Sequence, residues 1–322
     1  MRLFARLAFA FSVLLPGIAA QAQPYPSRPI SMIVPFAPGG IADITGRLLA
    51  VPLARILGQP VVIDNRAGAG GAVGHVATAK AKPDGYTIMM ALSSIVVIPE
   101  AEKVNGRQPT YQMSDFTPIA LVSADPTILM VPADAPWKTL KDLVDDARAR
   151  PGAISYSSSG VYGTIHTCFE MFAQAAGIKL LHVPYKGGGP SMAALLGREV
   201  DLTAQSPGVS NQHIKSGRVR VLGSWGATRT SALPDVPTMK EQGFDVEFAI
   251  WAGVFAPAGL PADVRERLTG AVRQAVQDPD FVRVMTTLNT PINFKEGREF
   301  DNFLNTDTNR LADVVRRMGK TE

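Results

Sequence analysis

The sequence predicts an α/β protein built from two compact units. Three observations carry this. Short apolar runs rich in strand formers alternate with stretches of helical periodicity along most of the chain. The strand-like runs lack a polar face, the pattern of mostly parallel strands covered by helices on both sides. The 322 residues, 46% hydrophobic and only 19% charged, supply more core than one small domain needs and exclude a disordered chain.

Residues 1–22 are set apart from this pattern. Arg2 and Arg6 precede an apolar run from Leu7 to Leu15, and small residues follow, ending Ala20-Gln21-Ala22. This is the plan of a secretory signal peptide cleaved after Ala22. The run falls short of the ~20 residues that span a bilayer. No cysteine follows it, which disfavours a lipoprotein. Export to the periplasm is expected. Without residues 1–22 the chain has 300 residues, and its net charge falls from +4 to +2. No basic stripe is present, so no nucleic-acid partner is expected. Cys168 is the single cysteine, which excludes an intrachain disulfide and a cysteine metal cluster.

The elements follow in order. Ile30–Phe36 is a strand ending in Ala-Pro-Gly-Gly. From Ile41 a helical face runs through Ile44, Leu48 and Leu53 to Gly58, with Pro52 inside it. Strands are expected at Pro60–Asp64 and Tyr86–Leu92, with a helix near Val73–Lys80 between them. One long strand is read over Ile119–Val131. Helix Trp137–Arg148 then leads to a second alternating block. Its strands are Ala153–Ser157, Lys179–Pro184, Val200–Ala204 and Arg220–Ser224. Its helices are Thr164–Ala176, Pro190–Leu196 and Val209–Ser216. A proline-rich connector, Leu233–Pro237, returns through Phe248–Ala256 to two helices, Ala262–Val276 and Phe300–Arg317.

Several strand-to-helix loops carry candidate chemistry. Phe36, Ala37, Pro38, Gly39 and Gly40 precede a helix N-terminus, where unpaired N–H groups and the helix dipole attract anions. A plain tight turn is the simpler reading of that loop alone. Ser157, Ser158, Ser159, Gly160 and Thr164 form a second loop of this kind, with Thr164 also a possible N-cap. One such loop in each unit would hold an anion from both sides. Ser93 and Ser94 follow a strand, Tyr185-Lys186-Gly187-Gly188-Gly189 is a further strand-to-helix loop, and Asp201 and Gln205 flank a strand end. The glycine-rich run after Asn65 fails as a dinucleotide fingerprint, because Val73 stands where glycine is required. No G-x-S-x-G occurs, and His75, His166, His182 and His213 lack metal-ligand spacing. No metal and no cofactor are expected. His166, near a helix start, is read as either a structural histidine or a ligand contact, and Cys168 as core.

The motifs taken together resemble the Bug family, periplasmic solute receptors of tripartite tricarboxylate transporters. They are VPFAPGG at Val34–Gly40 with Asp43, VVIDNRAGAGGAVG at Val61–Gly74, PDGYT at Pro83–Thr87 and DFTPIALV at Asp115–Val122. HVPYKGGGP at His182–Pro190, LPDVPTMKEQGF at Leu233–Phe244 and WAGVFAPAGLP at Trp251–Pro261 complete the set. The resemblance implies a two-lobed periplasmic binding fold of type II-like plan, with ligand in the interlobe cleft. Lobe 1 is expected at 23–122 and 226–322, and lobe 2 at 123–225. It implies a carboxylate ligand held by Phe36–Gly40 and by Ser157–Thr164, with Ser93, Ser94 and Tyr185 as second contacts. It implies a monomeric binding protein, not an enzyme, working with membrane permease subunits or with a membrane sensor. A periplasmic hydrolase or isomerase using His166 or Asp201 is the competing class. Two departures matter: Gln205 stands where relatives often carry an acid, and Val161-Tyr162-Gly163-Thr164 with His166-Thr167 replaces the usual serine loop and His-Leu pair.

Overall fold

The computed structural model describes residues 25–319; the expected signal peptide lies outside them. Two mixed sheets with flanking helices make two lobes. The first sheet has six strands. β1 (Ile30–Val34), β2 (Val61–Asn65) and β3 (Thr87–Leu92) are separated by α1 (Ile41–Leu57) and α2 (Ala72–Ala79). After α3 (Ser94–Val104) comes β4 (Phe116–Pro126). β5 (Ile128–Pro132) opens the second sheet. That sheet continues through α4 (Leu140–Ala149), β6 (Ser155–Ser158), α5 (Thr164–Ala176), β7 (Leu181–Pro184), α6 (Gly188–Leu196), β8 (Leu202–Gln205), α7 (Pro207–Lys215) and β9 (Val219–Ser224). The chain then returns to the first sheet with β10 (Ala249–Pro257), α8 (Ala262–Ala275), α9 (Pro279–Thr287), β11 (Ile292–Glu296) and α10 (Gly297–Met318).

The strand orders are β11-β4-β10-β3-β1-β2 and β7-β6-β8-β5-β9. Neither sheet is mostly parallel, and this corrects the sequence reading. β1 pairs in parallel with β2 and β3, whereas β10 runs antiparallel to β3 and β4, and β11 to β4. In the second sheet β6 is parallel to β7 and β8, while β5 is antiparallel to β8 and β9. The cause is the route of the chain. It leaves the first sheet along β4 and re-enters along β10, so neighbouring strands point opposite ways.

The long strand expected over Ile119–Val131 is two strands in different sheets, divided at Thr127. The expected boundary after Val122 therefore falls inside β4. At the crossing, Thr127 N donates to Phe248 O (3.4 Å), Trp225 N to Thr127 O (2.8 Å) and Phe248 N to Trp225 O (2.9 Å). Both covalent links between the lobes are thus tied at one place.

The larger core fills around β1, β3, β4 and β10, where Met32, Met90, Leu121 and Val254 are fully buried. Trp251 on β10 donates from Nε1 to Asp307 Oδ2 (2.7 Å), fixing α10 against the sheet. Three elements escaped the sequence reading. α3 is almost wholly buried, so it has no polar face, and Pro99 interrupts its pattern. α9 is short, with Asp278 as N-cap and Pro279 at its first position. β11 is half-buried throughout.

Candidate functional site

The carboxyl ends of β1 and β3 in one lobe face those of β6, β7 and β8 in the other, and the loops there meet. The first loop is held from behind. Asp43, on the first turn of α1, accepts from Gly39 N with Oδ2 (3.0 Å). Its Oδ1 accepts from Arg47 Nε (3.0 Å) and from Asn65 Nδ2 (3.0 Å). Asn65 Nδ2 also donates to Phe36 O (2.9 Å). Burial alone would raise the Asp43 carboxyl, but these hydrogen bonds from Arg47, Gly39 and Asn65 outweigh it and lower its pKa. A buried, ionised Asp43 thus fixes the curve of the Phe36–Gly40 loop.

The N-termini of α1, α3, α5, α6 and α7 have no side-chain cap. For α1, α5 and α6 the N-cap residue is glycine: Gly40, Gly163 and Gly187. Ile165 N of α5 donates to Ser159 Oγ (3.5 Å); no N-cap side chain covers the other first N–H groups, and each terminus favours an anion by about 0.3–1 kcal/mol.

The lobes touch along two seams of glycine backbone. At the first, Ala37 N donates to Lys186 O (2.9 Å). A Cβ placed on Gly40 would sit 3.2 Å from Gly188 N, and one on Gly189 would strike Pro38 O. At the second, a Cβ on Gly160 would sit 2.7 Å from Gly70 N. Side chains add two bridges, Ser93 Oγ to Thr164 Oγ1 (3.4 Å) and Asn105 Nδ2 to Tyr162 Oη (2.7 Å).

Between the seams lies a small enclosed cavity, with room for about one water molecule (about 10 Å³). Lobe 1 gives it Phe36, Gly40, Ile41, Ala42, Leu92 and Ile250; lobe 2 gives Ser159, Thr164, Ile165, Gly188 and Gln205. None of these residues is charged. A wider trough of about 460 Å³, lined by Thr228–Ala232 and Asn289–Ile292, holds none of the strand-end loops. The cleft is therefore closed, and its polar character comes from backbone N–H groups, two hydroxyls and one amide.

Comparison with known proteins agrees with this architecture. Residues 45–320 match the family described as tripartite tricarboxylate transporter family receptor. The chain is 34% identical to the protein BugT of Bordetella pertussis over 307 residues, covering 94% of each chain. It superposes on the periplasmic binding protein BugD with a TM-score of 0.87 at 33% identity, covering 92% of this chain and 99% of that one. MatC from Rhodopseudomonas palustris, with bound malate, gives 0.83 at 26% identity over 90% of this chain and 100% of that one.

The chain belongs to the receptor family of tripartite tricarboxylate transporters. It is a solute-binding protein of that family, whose members bind ligands and are not enzymes.

In this receptor the sequence-predicted residues divide into three groups. Phe36, Gly40, Ser159, Thr164 and Gln205 line the cavity, and Ser93 reaches it through Thr164. Ala37, Pro38, Gly39 and Gly160 form the seams. The others are turned elsewhere. Asp43 serves its own loop. Ser157 Oγ bonds Ser191 and Thr203 inside lobe 2 (2.8 and 3.0 Å). Ser158 Oγ bonds His182 Nε2 (2.6 Å). His166 Nδ1 accepts from Tyr162 N (3.0 Å), and its ring stacks on His182. Tyr185 Oη donates to Glu199 (2.9 Å) on the outside. Asp201, the other candidate of the enzyme reading, accepts from Ser155 N and Oγ (2.8 Å each). The Ser94 hydroxyl is buried without a partner.

Sequence reasoning missed the apolar walls Ile41, Ala42, Leu92, Ile165 and Ile250. The first four adjoin loops already singled out. Ile250 arrives on β10 from more than 200 residues downstream of β1, and no local signal marks it.

Proposed function

We propose that this receptor is exported, captures a small carboxylate between its lobes and delivers it to the membrane permease subunits of a tripartite carrier. The observation that carries this is the convergence of uncapped helix N-termini from both lobes on one cavity lined by no charged residue. A carboxylate there is met by N–H dipoles from two sides, which suits a single anionic group. The malate bound by MatC, a relative of the same fold, supports the ligand class. The Arg2–Ala22 leader supports export. Lobe 1 then comprises the chain up to Pro126 and from Phe248 onward. Lobe 2 lies between them, and hinge motion is centred on Thr127 and Trp225.

The test is a thermal-shift screen of mono-, di- and aromatic carboxylates. A true ligand at about 100 times its Kd stabilises the protein by about 2.7 kcal/mol. Gly40→Val is the matched control. The added side chain meets Gly188 backbone, while the φ of −88° at Gly40 is ordinary. The variant therefore folds, and its affinity for whichever carboxylate binds falls roughly ten-fold or more, about 1.4 kcal/mol per decade. Unchanged affinity in that variant would remove the loop from the site.

A further inference from the structure

A buried carboxylate stands at the hinge end of the cleft, unused by any contact described above. Asp125 is the second-to-last residue of β4 and is fully buried. Neither of its oxygens has a hydrogen-bond partner. Burial pushes its carboxyl well above the ordinary range, and Ser123, two residues back on the same face, offsets only a little of that without a hydrogen bond of normal geometry. Buried acids in folded proteins are as a rule paired or hydrogen-bonded.

The β-sheet register locates this group. Asp125 lies directly opposite Ile250 in the antiparallel β4–β10 pair. Residues so paired project from the same face. Ile250 is a wall of the cavity. Asp125 therefore shares a sheet face with the cavity wall Ile250, two residues before the crossing at Thr127. Ser206 follows the cavity residue Gln205, and its Oγ is buried without a partner. Thr290 Oγ1 is also buried and unpartnered, but it belongs to the trough, with Pro126 and Pro207.

We propose that Asp125 is a specificity-determining residue that accepts a hydrogen bond from an ammonium or hydroxyl group on the carbon chain of the bound carboxylate, with Ser206 as its neighbour in the subsite. The inference rests on the carboxylate reading above and names the ligand class within it: amino- or hydroxy-substituted carboxylates in preference to plain ones. A plain dicarboxylate leaves Asp125 unmet. An ammonium group pairs with the ionised carboxylate.

The experiment is isothermal titration calorimetry on the intact receptor with probes that differ only in the donor group. These are succinate against L-malate and L-aspartate, and adipate against 2-aminoadipate. Wild type, Asp125→Asn and Asp125→Ala are compared, with melting curves to verify folding. In wild type, at least one substituted probe binds ten-fold or more tighter than its plain partner. Asp125→Ala removes the preference while affinity for the plain acid is kept. Asp125→Asn retains a hydroxyl preference and loses an ammonium preference. Equal binding of plain and substituted probes to wild type overturns the proposal. So does an unchanged ratio in folded Asp125→Ala. Both results leave carboxylate capture standing. Failure of every probe to bind overturns both readings.

Discussion

Ser158 Oγ and His182 Nε2 share a 2.6 Å hydrogen bond, and His182 in turn stacks on His166 with ring centroids 4.1 Å apart. Burial depresses the His75 pKa to about 3, and that of His166 to about 3, with nearby His182 adding to the effect. Burial alone brings His182 to about 4. These folded values lie below the unfolded one near 6.5, so the unfolded chain binds more protons between them. The stabilisation is complete above pH 6.5 and is lost as pH falls toward 4, at up to about 1.4 kcal/mol per pH unit for each ring. Asp125, raised by burial, acts in the opposite direction, so the histidine effect is isolated by a variant. The urea midpoint of wild type falls between pH 6.5 and 4.5, and that of His182→Gln falls less. A histidine-ring NMR titration locates the buried rings as neutral at pH 5. The sequence showed the polar residues of the two anion loops, because such loops are local. It did not show that Ser157, Ser158 and His166 turn inward, since that depends on partners 16 to 46 positions away. Asp125, a lone acid in the run from Ile119 to Val131, was visible there and went unremarked.

At the scale of elements, helices with a polar face and a clear stop were legible. α1 ends at Gly58, in the left-handed conformation that glycine tolerates, and α5 ends at Gly177 in the same way. α3, buried on nearly every side, has no such face to read. Capping separates helices that hold themselves closed from those that do not. α4 begins with a full capping box: Thr139 accepts from Asp142 N (3.1 Å), and Asp142 accepts from Thr139 N (2.9 Å). Thr139→Ala is expected to cost about 1 kcal/mol in chemical denaturation and to leave ligand affinity unchanged. α1 and α5 have no such device, so the anion proposed above would serve as their cap. Ligand binding then adds stability where the helix starts are otherwise incomplete.

For the whole molecule, closure depends on backbone approaching backbone. Gly189→Val places a side chain against Pro38 O, a contact only the closed form makes. The variant is expected to fold normally and remain open. Small-angle scattering would then show a radius of gyration larger than that of wild type and unresponsive to ligand. Loss of that difference would mean that the seam does not govern closure. The two-lobe plan was legible because alternation and length reveal it. The mixed direction of the strands was not, because pairing partners lie far apart: β10 joins β3 and β4 only after the whole second sheet has been threaded between them.

That threading sets the order in which the chain can be completed during synthesis. β10 is an interior strand of the first sheet, yet it begins at Ala249. Until it is made, β3 and β4 each present a bare edge of unpaired backbone groups, while every strand of the second sheet already exists. A nascent chain ending before Ala249 therefore holds a complete small lobe and a split large one. The last quarter of the polypeptide carries no strand-end anion loop, but it is what joins β4 to the three-stranded sheet of β1, β2 and β3.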